Sequence, residues 1–288
     1  MTIPERPDRA PVTSTRSDRV RQVASLSGRS AREKQKQFRV EGPQAVRALL
    51  TAQPETAVAL FMTDEARSRH ADIERAAAMA ALPVTPVTAE VITAMVRDQG
   101  QQSVVSPQGI IATARMTAWN WRELLAELDG TPPERPLTLV AADRIQDPGN
   151  AGMLLRTADA SGAAAVFFGE GSADPFSPKV VRSTAGSLFH LPIATRVPLT
   201  ELIQALRQRG IACAATSGYA AQSLFDFHAP ARLAWLMGNE AHGLPPDLLA
   251  GADHQIAIPL QGRAESLNLA AAATLCLFES ARQHPLTD

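Results

Sequence analysis

Three short segments gather asparagine, arginine, glutamate and serine among glycines, each placed just after a run of apolar residues. The first runs from Asp143 to Gly152 and enters a stretch with helical spacing that carries Arg156. Its Asp147-Pro148-Gly149 forces a turn, and Asn150 falls at or beside the N-cap of the next helix, where a side chain satisfies an orphan amide. Arg156 sits inside an otherwise small, apolar helix, where neither capping nor solvation accounts for it. The second segment, Met237-Gly238-Asn239-Glu240-Ala241-His242-Gly243-Leu244, has glycines on both sides of Asn-Glu, which lets backbone amides approach a ligand closely. His242 reads as a loop histidine, because a metal role needs partners the sequence does not offer. The third, Ile258-Pro259-Leu260-Gln261-Gly262-Arg263-Ala264-Glu265-Ser266-Leu267-Asn268, opens the last helix. Ser266 fits an N-cap by type, while Asn268 in the first turn of an alanine-rich helix is locally unfavourable and implies a tertiary task.

Amides, a hydroxyl, a guanidinium and a carboxylate can orient a polar substrate and stabilise charge that develops on it. Other chemistries lack their residues. No Gly-x-Gly-x-x-Gly follows a strand and no Gly-Lys-Ser/Thr occurs, which argues against a dinucleotide enzyme or a P-loop kinase. Ser266 has no Gly-x-Ser-x-Gly elbow, which argues against a hydrolase. Cys213 and Cys276 are isolated from each other, so they read as packing residues in a reducing cytoplasm, with no metal expected.

The 288 residues carry a net charge of −1 that hides an asymmetry: residues 1–40 hold ten Lys/Arg against four Asp/Glu. Only Lys34, Lys36 and Lys179 are lysines, so 25 of the 28 basic residues are arginines, the side chain better suited to phosphate and to base stacking. The cluster Arg29, Arg32, Lys34, Lys36, Arg39 therefore points to an anionic partner such as nucleic acid. No apolar run approaches the roughly 20 residues of a membrane span, and the N-terminus has no secretory apolar region.

The elements that must hold these residues alternate. Residues 1–18 read as a flexible tail, and order begins near Arg19 with a helix through Val20, Val23 and Leu26. A helix started by Pro43, a strand at Val58–Met62, one helix over Asp64–Ala81, a strand at Val84–Val87, a helix at Ala89–Arg97 and a strand at Gly109–Ala114 give an α/β domain over 19–116. Residues 117–136 read as a linker containing a short helix. Beyond it, over 137–288, strands are expected at Leu137–Ala142, Ala163–Phe168, Phe189–Ala194, Ile211–Ala215, Leu233–Met237 and Gln255–Ile258. Apolar residues dominate them and most are followed by a helix, the pattern of a largely parallel sheet covered on both faces. Such a sheet binds ligands at the carboxyl ends of its strands, where the three segments fall.

In this order and spacing, Asp147-Pro148-Gly149-Asn150 with Arg156, Gly238 to Leu244, and Ile258-Pro259 with Ser266-Leu267-Asn268 resemble the three motifs of the SpoU (TrmH) family of RNA ribose 2′-O-methyltransferases, in the SPOUT superfamily. The resemblance covers about residues 135–285. It extends more weakly to Phe38-Arg39-Val40-Glu41-Gly42 and Ser106-Pro107-Gln108-Gly109, which resemble that family's RNA-binding domain. It implies a C-terminal trefoil-knotted α/β domain behind a smaller N-terminal α/β domain, S-adenosylmethionine as cofactor, and a homodimer that completes the site. By match to the motifs, Gly238, Ile258, Leu260 and Leu267 would surround the cofactor, and Asn150, Arg156, Glu240, Ser266 and Asn268 would form the reaction site. Arg182 resembles a position near the substrate phosphate. The basic N-terminal domain favours 23S rRNA as the target. The alternatives are a tRNA target or a non-catalytic ribosome-assembly protein, the latter opposed by the completeness of the motifs.

Overall fold

The computed structural model describes residues 11–97 and 108–285. They form two compact units: one holds the chain up to Met116 together with Phe176–Phe189, and the other holds Thr117–Pro175 and the chain from His190 onward.

In the first unit the elements are α1 (Asp18–Ser25), α2 (Arg29–Gln35), β1 (Gln37–Glu41), α3 (Pro43–Ala52), β2 (Ala57–Met62), α4 (Asp64–Arg69), α5 (Ala71–Met79), β3 (Val84–Pro86), α6 (Ala89–Met95) and β4 (Ile110–Arg115). The four strands lie in the order β1-β4-β2-β3, with β4 antiparallel to both neighbours and β2 parallel to β3. Phe38 and Val40 of β1 and Ile110 to Ala112 of β4 are buried. Gly42, at φ 86°, turns the chain from β1 into α3, and Pro43 opens the helix as its spacing predicted.

Four expectations are corrected by these elements. The single helix over Asp64–Ala81 is two, because His70 leaves the helical region at φ −127° and α5 restarts after it. No glycine or proline marks that break in the sequence. The segment read only as a basic cluster contains α2 and β1, separated by Lys36 in the left-handed region at φ 54°. Part of the expected tail is tied down: the Val12 amide donates to the Pro86 carbonyl at 2.9 Å, and Ser17 caps α1. Residues 1–10, and Ser106 and Pro107 of the second RNA-domain resemblance, lie outside the described residues. Finally, Phe189 belongs to a short 3-10 turn at Ser187–Phe189 rather than to a strand, since Pro192 delays the strand to Ile193.

The second unit contains α7 (Trp121–Leu128), β5 (Leu137–Ala142), α8 (Pro148–Ala160), β6 (Ala165–Gly169), β7 (Ile193–Val197), α10 (Leu199–Gln208), β8 (Ala212–Thr216), β9 (Gln222–Ser223), β10 (Arg232–Met237), α11 (Pro246–Gly251), β11 (His254–Ala257) and α12 (Leu269–Gln283). Helix α9 (Pro178–Ser183), between β6 and β7 in the chain, packs in the first unit. Every neighbouring pair in the sheet β7-β6-β5-β10-β8-β11-β9 is parallel. Alternate residues explain why these strands read as unbroken apolar runs. Leu137, Leu139 and Ala141 face a core with α7, α10 and α11, while α8 and α12 pack together against the sheet. Trp121, Leu124 and Leu125 are buried in that core, so α7 is part of the second unit rather than a free connector.

Candidate active site at the carboxyl edge of the parallel sheet

Because all seven strands point the same way, their carboxyl ends line one edge. β5, β10, β8 and β11 are consecutive there, and β5 is followed in the chain by β6 on its other side. That reversal is the topological switch point at which open α/β sheets hold ligands. The three segments follow β5, β10 and β11.

Asp147 caps α8: its Oδ1 accepts the Asn150 amide at 2.9 Å. Asn150 is therefore the third residue of the helix, near the cap as expected, but Asp147 and not Asn150 does the capping. Asn268, not Ser266, caps α12, and its Oδ1 accepts the amides of Ala270 and Ala271. Asn268 therefore precedes the helix, where asparagine is favourable, rather than lying in its first turn, and the cap fixes which end of the amide makes the tertiary bond to Asn150. With Oδ1 committed to the helix, Asn268 Nδ2 donates to Asn150 Oδ1 at 2.9 Å. Asn150 Nδ2 in turn donates to Glu240 Oε1 at 3.1 Å. The Glu240 carboxylate also accepts the amides of Gln146 and Asp147 and Nδ2 of Asn239. One hydrogen-bonded relay thus joins all three loops.

Asn239 organises the middle loop and was not singled out in the sequence, although an Asn-Glu pair between glycines was its signal. Its Nδ2 donates to the Arg144 carbonyl at 2.7 Å, and its Oδ1 accepts the amides of Ala241 and His242. The loop closes so tightly that a Cβ on Gly238 would stand 2.4 Å from the backbone of Gly243 and Leu244. Glycine at 238 is thereby demanded by the chain itself. His242 is exposed beside Asn239, and among the described residues no group of three or more metal-ligating side chains occurs.

Arg156 stands apart from the relay. It is exposed on α8 and makes no hydrogen bond or ion pair among the described residues. At 100° per residue it is turned by about 120° from Asn150, roughly 9 Å along the axis. Ser266 is likewise exposed without a hydrogen-bond partner among the described residues. Ile258 is half-buried at the end of β11, and Leu260 and Leu267 are exposed on the loop that leads to Asn268. Leu260 and Leu267 are thus exposed apolar side chains on the same loop as Asn268, the places that the resemblance implies for the cofactor. Cys213 and Cys276 are buried, and burial pushes both thiols up to about 12, which leaves no thiolate nucleophile at neutral pH.

The basic cluster divides. Arg32 is 2% exposed, and its Nη1 donates to the carbonyls of Leu26 and Ser27 at the end of α1. Arg39 is 1% exposed and paired with Glu41. These two are scaffold, inaccessible to a phosphate, and their expected RNA role is corrected accordingly. Arg29, Lys34 and Lys36 are exposed, Arg29 in a loose pair with Glu33. Arg182, on α9, bonds Glu41 in the first unit.

The SpoU rRNA Methylase family matches residues 137–278, and the MRM3-like substrate binding domain matches residues 17–112. An uncharacterized tRNA/rRNA methyltransferase of Synechocystis sp. is 33% identical over 96% of this chain and 95% of its own length. The 23S rRNA (guanosine-2'-O-)-methyltransferase RlmB of Pseudomonas putida is 30% identical over 85% of this chain and 96% of its own length. Among solved structures, the AdoMet-bound rRNA methyltransferase from Sinorhizobium meliloti is 31% identical with a TM-score of 0.77, covering 96% of this chain and 99% of that one. The SpoU methyltransferase AviRb from Streptomyces viridochromogenes, in complex with AdoMet, is 28% identical with a TM-score of 0.76, covering 93% and 98%.

Proposed function

The chain belongs to the SpoU rRNA methylase family, and on that premise we propose that it transfers a methyl group from S-adenosylmethionine to a ribose 2′-hydroxyl of ribosomal RNA. The observation that carries this reading is the relay Asn268–Asn150–Glu240, which ties the three loops into one polar site at the switch point of the sheet. S-adenosylmethionine supplies an electrophilic methyl group on a positively charged sulfur. Around it, Leu260 and Leu267 provide apolar surface, Ile258 and the backbone at Gly238 line the same edge, and Ser266 offers a free hydroxyl.

A ribose hydroxyl attacking in line must be oriented and must lose its proton, and the charge it develops must be stabilised. Each end of the Asn150 side chain makes one bond, to Asn268 and to Glu240, so part of its task is to hold the loops in register. Arg156 stabilises the developing alkoxide. A guanidinium stays protonated across the accessible pH range, so Arg156 acts as a charge and donor and not as the base.

Arg156 reaches a substrate at the relay when a second copy of the chain supplies it. Met153 on α8 and Leu275 and Phe278 on α12 are exposed apolar side chains on these two packed helices. A homodimer that completes the site is carried over from the family, and we propose that it covers these side chains and brings Arg156 of one copy to the relay of the other. Phe278→Glu is then expected to sediment as a monomer and to lose activity, and an active monomer contradicts the arrangement. A trefoil-knotted path for the C-terminal helix is carried over from family membership, as is a cytoplasmic, ribosome-associated location. Arg29, Lys34 and Lys36 are proposed as phosphate contacts of the first unit.

Mapping 2′-O-methyl groups by primer extension in a strain lacking the gene tests the target. Loss of one 23S rRNA mark is expected. An intact rRNA profile with one missing tRNA mark would overturn the ribosomal assignment.

A further inference from the structure

Glu41 ends β1, and its carboxylate, with the side chain 2% exposed, lies between two arginines of the first unit. Arg39 Nε donates to Oε1 at 2.6 Å, and Arg182 Nη1 donates to Oε2 at 2.8 Å. Arg39 is anchored in turn by the Met95 carbonyl. One carboxylate thus serves two guanidinium groups and leaves the network with a net positive charge.

For stability alone the second arginine is a poor choice. Arg39 already neutralises Glu41, and bringing another cation out of water carries a desolvation cost without a matching anion. The environment of Arg182 differs from that of Arg39: its side chain is 24% exposed, and Nη1 to Glu41 is its one hydrogen bond among the described residues. Four of its five N–H groups are left for something else. A guanidinium is a rigid plane, so pinning one corner fixes the direction of the remaining donors, the condition for bidentate recognition of a phosphate.

We propose that Glu41 is a positioning residue that fixes the Arg182 guanidinium to grip a phosphate of the bound RNA. The proposal rests on RNA being the substrate. It assigns to Glu41, a residue of the substrate-binding region, the orientation of an arginine contributed by the methylase part of the sequence.

The test uses the full-length protein and a 23S rRNA transcript, with filter binding over a salt series and methyl transfer measured in parallel. Arg182→Ala leaves the Arg39–Glu41 pair in place. It is expected to weaken binding by roughly tenfold and to lower the slope of log affinity against log salt by about one, the signature of a single lost phosphate contact. Glu41→Gln keeps the length but removes the charge. It is expected to weaken binding several-fold, to raise the KM for RNA more than it lowers kcat, and to add nothing once Arg182→Ala is present. Arg182→Lys keeps the charge but not the fork, and falls close to alanine if orientation matters.

The proposal is overturned if Glu41→Gln lowers the unfolding midpoint while leaving the RNA isotherm and salt slope as in wild type. It is also overturned if the Glu41 and Arg182 effects simply add. Should Glu41→Gln fail to fold, an Arg182→Lys protein that binds as wild type does is enough to reject it. A wild-type protein that binds the transcript, is weakened by the variants, yet transfers no methyl group would support the phosphate contact and overturn the methyltransferase reading.

Discussion

Arginine does different work in the two units. In the first, Arg32 and Arg39 are withdrawn from solvent and bond helix-end carbonyls and Glu41. In the second, Arg156 stands exposed on α8 with no partner among the described residues. In the sequence the first two look like a nucleic-acid patch, and Arg156 looks like an oddity in an apolar helix. Burial separates them: a guanidinium enclosed by its own chain holds the scaffold, and one left without a protein partner is available to a ligand.

The contrast is most exposed to substitution. Arg156→Ala is expected to cost roughly 10²–10³ in turnover, the scale of losing one donor to a developing oxyanion, while stability stays within about 0.5 kcal/mol. Equal turnover, or a large fall in the unfolding midpoint, would put Arg156 among the scaffold arginines. Arg39→Met should do the reverse. Stripping one partner from a buried ion pair costs about 3 kcal/mol, at the low end because Arg182 still reaches Glu41, and urea unfolding of the full chain reads that loss. An Arg39→Met protein of unchanged stability but weakened RNA binding would restore it to the phosphate-contact set.

Asn268 refines the contrast within the site, because it caps α12 and also donates to Asn150. Asn268→Ser keeps a capping oxygen, so stability should shift by only a few tenths of a kcal/mol. The amide donor to Asn150 is lost, and turnover should fall by about tenfold, equivalent to about 1.4 kcal/mol. Parallel thermal melts and transfer assays check the split, and loss of both together would reduce Asn268 to a cap.

The smallest effect belongs to a pair on α12 between exposed Arg282 and partly buried Glu279. Hydrogen bonds from Arg282, then Gln283, hold the Glu279 carboxyl down to about 2 from its usual 4.5. A carboxyl depressed in the folded state contributes stability that is fully present above its unfolded value and lost as pH falls through the folded one. The difference in melting temperature between wild type and Glu279→Gln should therefore be small at pH 7 and disappear between about pH 4.5 and 2. A gap that widens toward pH 2 would contradict that sign.

Much of the second unit was readable in advance because its strands are buried on both faces and carry little but apolar residues. β5 falls where the spacing put it, and the loops after β5, β10 and β11 hold the polar segments. Positions inside those loops were harder to read. Asp147 before a proline is as good an N-cap as Asn150, and only the hydrogen bonds decide between them. In the first unit, α2 and β1 were hidden under their own charges: a buried Arg32 and Arg39 do not register as core in a hydrophobic pattern. The helix break at His70 left no mark, since neither glycine nor proline stands there and only the backbone angles show it.

Ribose methylation at the relay is tested most directly by methyl transfer from radiolabelled S-adenosylmethionine to total rRNA and total tRNA by wild type, Asn150→Ala and Arg156→Ala, with alkaline digestion of the products. A methylated 2′-oxygen cannot attack the neighbouring phosphate, so label on ribose survives in alkali-stable dinucleotides. Such label is expected in rRNA from wild type alone. Label released in mononucleotides, or undiminished transfer by both variants, would contradict a ribose methyltransferase built on these residues.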